Sequence, residues 1–565
     1  MLLKKILELP RRGEEFGSIS EIARGEAFSL TLSGLNEGAK VYFISLLLSG
    51  IGKNLVYVVP SNAEIERLSP SFAYWIEELG PSEGEGEPCQ LLTFPHVDTD
   101  AYSSAPPHLD IIRQRVEALW TLSTAKRWLL LVSASSLAYP TIPPQAFASR
   151  AVSLQAGSDY PLYQLKEKLV VLGYQREDMV EEVGDFSCRG GIVDLFSPQH
   201  INPLRVEFFA DRIESIREFD IISQRSIREV HRIDILPMEE FATSCNTGES
   251  VPLGNDAPAH KPLSGVNGSL AGQLTDCLFV LDEPSLIDKG FDDLYQHFLQ
   301  RYQLLLSEGK SPVPPEKLLT PREAIDKEVR KRGVINLCTL GVTEPSTKKG
   351  QQEFTIPSRS LPSYKGALSE LKTEIEQNQK QHYNTIILMP NRGRARRVEE
   401  ILRDYDLEPL LIAPRESPLP DSASVPLKGR LLVSWGSHQG GFCLPSYRLV
   451  VVTSEELFGK ELRPIPRKKP KSHRFVSDLR DLKLDDYVVH IDHGIGIYKG
   501  LKEIKLNGET KEFMVIFYQD GDRLYLPLER LNLVHKYSWV KGFKPRLDKL
   551  GGTSWHQVKK RVKSS

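Results

Sequence analysis

The chain has 565 residues, 40% of them hydrophobic and 26% charged, with a formal net charge of -2. This length predicts several globular domains, and the near-neutral charge excludes a global field that would draw the chain to nucleic acid or membrane. Six scattered cysteines without a C-x-x-C pair argue against a zinc cluster or disulfide framework; no apolar run nears the roughly 20 residues of a spanning helix, and MLLKKILELPRRGEEF is a poor signal peptide, so a cytoplasmic protein with no membrane partner is expected.

Residues 1–150 alternate two patterns. Positions 40–48 and 63–75 read as helices, and 54–59, 91–94 and 128–132 as strands, the alternation of a parallel α/β sheet. The first helix opens on Gly34-Leu35-Asn36-Glu37-Gly38-Ala39-Lys40. A working phosphate loop, G-x-x-x-x-G-K-[ST], wraps backbone N–H groups around the phosphates, reaches them with Lys and holds Mg²⁺ with its hydroxyl. Here Ala39 separates Gly38 from Lys40, Val41 replaces the hydroxyl, and Glu37 adds negative charge. Gly34, Gly38 and Lys40 are therefore read as a degenerate nucleotide loop. A later Gly52-Lys53 pair lacks the first glycine and precedes a strand. The strand pattern at 278–281 ends in Asp282-Glu283, as a Walker B segment does to set a carboxylate beside Mg²⁺.

Residues 151–235 differ in character. A helix at 160–172 carries Leu162, Leu165, Leu169 and Leu172 at helical spacing. Strands follow at 180–183 and 192–196 about a Gly184-Asp185 turn, then a hairpin of 204–209 and 213–219, making a small α+β unit. Arg189-Gly190-Gly191 is single and lies between strands, unlike the repeated RGG segments that bind RNA. Arg189 by itself also reads as a surface cation paired with Glu182 or Asp185. Residues 236–345 return to the first unit through the strand at 278–281 and helices at 292–308 and 321–332, past a Gly-, Pro-, Ser- and Asn-rich loop at 246–269. The Pro-rich segment 94–115 offers no long aromatic hairpin.

Residues 350–460 form a second small α/β unit, with helices at 368–377 and 393–404 and strands at 385–389, 431–434 and 449–453. Arg392, Arg394, Arg396 and Arg397 open the second helix, where the helix dipole favours phosphate. The plainer reading, a solvated face balanced by Glu399 and Glu400, is preferred. Residues 461–475 are a basic, Pro-rich, extended linker.

Residues 476–545 contain DYVVHIDHGIGIYKGLKEIKLNGETKEFMVIFYQDGDRLYLPLERLNL. Asn507-Gly508 and Asp520-Gly521 suit tight primed turns, between strands at 487–491, 497–506, 512–518 and 524–528. Phe513 to Phe517 is apolar on both faces and predicts an interior strand. Gly494 and Gly496 permit a sharp bend. The pattern predicts a small, strongly curved β-barrel that docks a partner along a sheet edge. The edge is 501–506, with Lys502, Ile504 and Leu506 on one face, Ile504 as anchor, and Met514 and Ile516 reaching the interface. His490, Asp492 and His493 lack a fourth ligand, so no metal is expected.

VVHIDHGIGIYKGL, a strand, and then DRLYLPLERLNLVHKY resemble the RNA-polymerase-interacting domain of the bacterial transcription-repair coupling factors (Mfd), a domain similar to the CarD family. Gly184-x-Phe186-x-x-Arg189-Gly190-Gly191-Ile192-Val193-Asp194-x-Phe196 resembles the signature of UvrB domain 2 and its coupling-factor counterpart, a surface that binds UvrA. The degenerate loop and the Asp-Glu strand look like the UvrB ATPase fold with its chemistry removed. The resemblance implies a multidomain α/β protein: a degenerate P-loop ATPase-like domain in two parts (1–150 and 236–345), an inserted α+β domain (151–235), a second small α/β domain (350–460), and a C-terminal SH3/Tudor-like, CarD-like β-barrel (476–545).

It implies that the barrel binds the RNA polymerase β subunit through Lys502, Ile504, Leu506, Met514 and Ile516, and that the insertion binds UvrA through Arg176, Arg189 and Phe196. Related factors carry Arg directly after the Gly-Tyr pair; here Gln175 takes that place and Arg176 follows. No catalytic residue, cofactor or metal is expected in this chain. ATP, Mg²⁺ and most contact with DNA would belong to a translocase motor, toward which residues 546–565 begin a helix. Two alternatives stand: an ATP-dependent UvrB-like helicase, which Ala39 and Val41 argue against, and a free-standing CarD-like transcription regulator.

Overall fold

The computed structural model of the protein describes residues 2–81, 87–97, 102, 107–221, 223–240, 268–339, 352–414, 428–459, 485–490, 493–506, 509–527, 534–536, 547 and 549. Its first unit is a seven-stranded, all-parallel sheet in the order Gln352–Thr355, Ser29–Ser33, Val334–Cys338, Cys277–Asp282, Asn54–Val59, Trp128–Ser133, Gln90–Phe94. The inner strands are apolar at nearly every position because both faces are covered. Leu55, Tyr57 and Val59 enter one core while Val56 and Val58 enter the other. The strands at 54–59, 91–94, 128–132 and 278–281 are present. Ser29–Ser33, Val334–Cys338 and Gln352–Thr355, which complete the sheet, have no counterpart among the predicted elements.

Helix Glu37–Ile51 is apolar around its whole circumference because it is buried on every side. It and helix Asn62–Leu79 share a core with Ile386, Leu432, Phe442 and Val451, so the second α/β unit covers what would otherwise be their outer face. That unit has a six-stranded sheet in the order Arg359–Ser360, Phe442–Leu444, Leu449–Thr453, Asn384–Met389, Leu431–Trp435, Leu410–Leu411. Its central strands are parallel and its first three pair antiparallel.

The insertion leaves and re-enters through an antiparallel pair, Val152–Gln155 with Arg232–Ile235. Between them lies a six-stranded sheet, one face of which packs against Leu165 and Leu169 of helix Leu162–Val171. The strand expected at 180–183 does not form. The Asp185 carboxylate accepts the N–H groups of Glu181 and Glu182, at 3.1 and 2.9 Å, so this stretch turns instead of joining a ladder. The strand is Asp185–Arg189, and it turns at Gly190-Gly191 into Ile192–Leu195.

The C-terminal sheet has five antiparallel strands in the order Arg523–Pro527, Glu509–Phe517, Gly494–Leu506, Tyr487–His490, Val534–Lys536. Phe513 to Ile516 are buried on both faces, as the run FMVIF predicts. The Asp520-Gly521 turn is not a two-residue hairpin: Phe517 pairs with Arg523, and a 3-10 turn, Gln519–Gly521, fills a longer loop. Residues 507–508, the loop at 246–267, the linker at 461–475 and the helix expected from 554 lie outside the described residues.

Candidate functional sites

The glycine loop is occupied by protein. Asn36 caps helix Glu37–Ile51, its side-chain oxygen accepting the Ala39 N–H at 3.0 Å. Its own N–H donates to Ser358 Oγ at 2.6 Å, and its side-chain amide donates to Ser360 Oγ at 3.2 Å. The Gly34 carbonyl accepts from Ser358 N–H and Oγ–H, at 3.0 and 2.9 Å. A Cβ on Gly38 would overlap the Gly440 carbonyl oxygen of the second α/β unit. The polar groups of the turn are thus engaged by segments 358–360 and 440–441, and the glycine serves a close approach of two backbones.

Lys40 is 4% exposed, and its Nζ donates to Asp282 Oδ1 and Glu283 Oε1, both at 2.6 Å. The other Asp282 oxygen accepts the Tyr57 hydroxyl at 2.9 Å, and Glu283 Oε1 accepts the Thr339 N–H at 2.8 Å. Glu283 has φ +56°, a left-handed conformation that is strained for a residue with a side chain. Burial pulls the lysine pKa down, but the Asp282 charge and the bonds to both carboxylates outweigh it and hold it above the ordinary value. Burial pushes Glu283 up, but Lys40 and Thr339 hold it below the carboxylate range. The two degenerate motifs seen in the sequence therefore meet each other. What the separate motifs do not reveal is that each satisfies the other.

The seam with the second α/β unit continues through Trp75, whose Nε1–H donates to His438 Nδ1 at 3.1 Å. Burial pushes the His438 pKa down to about 3, so the ring is neutral and can accept that bond.

In the insertion, the pairing register separates two expected partner residues. Gln175 pairs with Asp185 and Arg176 with Phe186. Phe186 belongs to the core beneath helix Leu162–Val171, whereas Asp185, Ser187 and Arg189 alternate onto the opposite, outer face. Gln175 therefore shares a face with Arg189, and the displaced cation Arg176 lies on the helix side. Displacing a residue by one place in a strand moves it to the other face. Phe196 is 8% exposed, which corrects its expected place beside the arginines: its side chain is buried and offers almost no surface. Arg189 is exposed and donates to the Asp178 carbonyl; among the described residues it makes no ion pair with Glu182 or Asp185.

In the C-terminal sheet, Tyr487–His490 pairs with the long strand only as far as Ile497. Leu501 to Leu506 pair with Glu509–Phe517 on one side, and no described strand covers their other margin. The expected docking edge is thus unpaired along this margin among the described residues. Met514 and Ile516 are 0% exposed and fill the core with Val488, Tyr498 and Leu526. This corrects the expectation that they reach a partner, because their register turns them inward. Lys502 is exposed and lies over the Tyr525 ring, 5.9 Å from its centroid. The side chains of Ile504 and Leu506 lie outside the described residues. His490 is buried and stacks on His493 with centroids 4.6 Å apart. Among the described residues no group of His, Cys, Asp and Glu could hold a metal ion.

The arginine cluster is partly balanced. Arg397 pairs with Glu400 at 3.2 Å, Arg403 pairs with Glu399 at 2.7 Å, and Arg392 sits over the Trp435 ring. No described helix is long and apolar enough to cross a membrane.

Two family models match the chain: the UvrB interaction domain over residues 152–241 and the CarD-like/TRCF RID domain over residues 482–538. Similar curated proteins include the transcription-repair-coupling factor of Bacillus subtilis strain 168, 27% identical over 94% of this chain and 47% of that protein. That of Myxococcus xanthus is 26% identical over 98% of this chain and 49% of that protein. That of Staphylococcus aureus strain MSSA476 is 24% identical over 96% and 48%. The chain spans about half the length of these relatives. Over most of its length the protein is similar to the N-terminal region of transcription-repair-coupling factors, with a UvrB interaction domain and a CarD-like/TRCF RID domain.

Proposed function

We propose that this chain is the bridging part of a transcription-coupled repair factor: its C-terminal module holds the RNA polymerase β subunit and its insertion recruits UvrA, with no nucleotide hydrolysis in these residues. The observation that carries the reading is the pairing of a UvrB interaction domain with a CarD-like/TRCF RID domain in one chain. A RID domain implies RNA polymerase as a partner, and a UvrB interaction domain implies UvrA. The margin of Leu501 to Leu506, unpaired among the described residues, supports docking by strand addition, which needs unpaired backbone donors and acceptors. The filled loop around Gly38 and the double carboxylate clamp on Lys40 support loss of ATP binding in the UvrB-like ATPase fold. A bridging assay tests it: immobilised RNA polymerase, this chain and labelled UvrA. UvrA retained only when the chain is present is the expected result. Binding of neither partner at micromolar concentrations overturns the reading.

A further inference from the structure

We propose that Arg115 and Glu240 are a positioning pair: buried at the root of the insertion, they fix its angle against the first unit, which the apolar contacts around them cannot do alone. This role is independent of the partner the insertion takes. The insertion is tied to the first unit by one entering and one leaving segment, paired at Val152–Gln155 and Arg232–Ile235. Units joined in this way swing against each other unless the surface between them holds them. Apolar contacts do cross the root. Ile235 and Met238 of the leaving segment pack in the insertion's core, and Leu236 between them packs in the core of the first unit. Leu109, which opens helix Leu109–Thr124 of the first unit, rests half-buried against the insertion's core. Such contacts are non-directional, so they resist separation more than they resist rotation.

The polar contacts at the root are directional. Arg115, on the same helix, is 2% exposed, and Glu240, just beyond the leaving strand, is 5% exposed. The guanidinium takes the carboxylate in a fork: Nε donates to one Glu240 oxygen, and Nη2 donates to the other at 3.0 Å. Its remaining side is fastened to the first unit. Nη1 donates to the Pro95 carbonyl and to Ser136 Oγ, each at 2.7 Å, and the group lies 3.8 Å over the Phe94 ring. Pro95 follows strand Gln90–Phe94, and Ser136 lies in the short helix that follows strand Trp128–Ser133. The entering segment is drawn to the same point, where Arg150 Nη1 donates to the Glu240 carbonyl at 3.4 Å.

Magnitudes decide what this cluster is for. Desolvating two charges offsets most of their attraction, so apolar residues of similar size replace buried ion pairs at little or no cost to stability. A forked guanidinium–carboxylate contact, by contrast, is satisfied in a narrow range of geometries. Arg115 is pinned to two strand ends of the sheet, so the direction it imposes on Glu240 is the direction in which the insertion leaves the first unit.

The test is the distance distribution between two spin labels on the full chain, measured by double electron–electron resonance. The labels are carried by unnatural residues at exposed Glu66 in the first unit and exposed Glu214 in the insertion, because the chain already holds six cysteines. One variant is Glu240→Gln, which keeps shape and removes charge. The other combines Arg115→Met with Glu240→Leu, which fills the site with apolar side chains. In both, the Ser136 hydroxyl can still serve the Pro95 carbonyl, 3.1 Å away. The wild type should give one narrow distribution. The double variant should give a distribution about twofold broader or more, with a melting temperature within about 4 °C of wild type; Glu240→Gln should broaden it in the same direction. A merely structural role would lower the melting temperature and leave the width unchanged. A broad wild-type distribution, or folded variants with the wild-type width, overturns the proposal. So does failure of both variants to fold, which would make the pair a requirement of the fold instead of the setting of its angle.

Discussion

Compare the glycine loop with the margin of the C-terminal sheet. Both are places where backbone polar groups could meet something outside the chain. At the loop several groups are answered from within: Ser358 and Ser360 take Asn36, Gly440 presses on Gly38, and two carboxylates take the Lys40 side chain. At the margin, Leu501 to Leu506 pair on one side only among the described residues. The difference is between backbone groups met within the chain and backbone groups unpaired among the described residues. A buried polar group without a partner is costly, so a loop with no phosphate to hold persists only if protein replaces it. An exposed edge is satisfied by water until a strand displaces it.

The sharpest way to break the first half of this comparison is Gly38→Val. A side chain there meets the Gly440 backbone, which cannot swing aside as the end of a flexible side chain could. The expected cost exceeds about 4 kcal/mol or prevents folding, read by urea denaturation. A variant as stable as wild type would show that the two units do not close on each other here.

Lys40→Met comes next. It leaves Asp282 and Glu283 facing each other without their shared cation, at a cost of about 3–5 kcal/mol for breaking a buried ion pair. The pH dependence has a definite sign. Glu283, held low in the fold, contributes above its unfolded value and loses that contribution as pH falls through the folded one. Lys40, held high, contributes below its unfolded value and loses it as pH rises through the folded one. The stability gap between wild type and variant should therefore be widest between about pH 5 and pH 10 and narrow at both ends. A gap independent of pH would mean that lost packing, not the charge cluster, destabilises the variant.

The second half of the comparison is broken at the open edge. Ile504→Arg places a charge where the sequence alternation expects the apolar anchor of an added strand. Affinity for the polymerase β subunit should fall by about 2 kcal/mol or more, with the circular dichroism spectrum unchanged. Wild-type affinity in a folded variant would move the docking edge elsewhere.

Much of this was legible in the sequence. Asn54–Val59 and Trp128–Ser133 stand out because an interior parallel strand is apolar on both faces. Ser29–Ser33 escapes because SLTLS is short and mixes polar with apolar positions. The defects of the loop, Ala39 and Val41, were readable as chemistry lost. Its filling was not, since Ser358 and Gly440 lie more than three hundred residues away in the chain. That Arg176 and Arg189 lie on opposite faces was hidden for a different reason. In a two-residue strand the hydrophobic alternation is too brief to fix which face is which, so only the ladder with Phe186 could assign it. Met514 and Ile516 were correctly placed on an interior strand and wrongly turned toward a partner. FMVIF is apolar in both directions, so its own pattern cannot say which side carries the core of the sheet.

The smallest expected effect is the most discriminating. Val41→Thr restores the hydroxyl that a phosphate loop uses to hold Mg²⁺. If the loop were merely a damaged nucleotide site, this repair would move it toward binding. The structure gives reasons why it should not. Val41 is buried inside the helix Glu37–Ile51, so a hydroxyl there would face protein. Lys40 would still be held by Asp282 and Glu283, and Gly440 would still lie against Gly38. In a helix the threonine hydroxyl can bond a carbonyl one turn back, which limits the cost of burying it to about 1 kcal/mol. The expected outcome is a small loss of stability and no heat beyond dilution when Mg-ATP is titrated into either protein. A micromolar dissociation constant for Mg-ATP in the variant would show that the segments filling the loop yield to a ligand, and that the loop is a site one hydroxyl away from function.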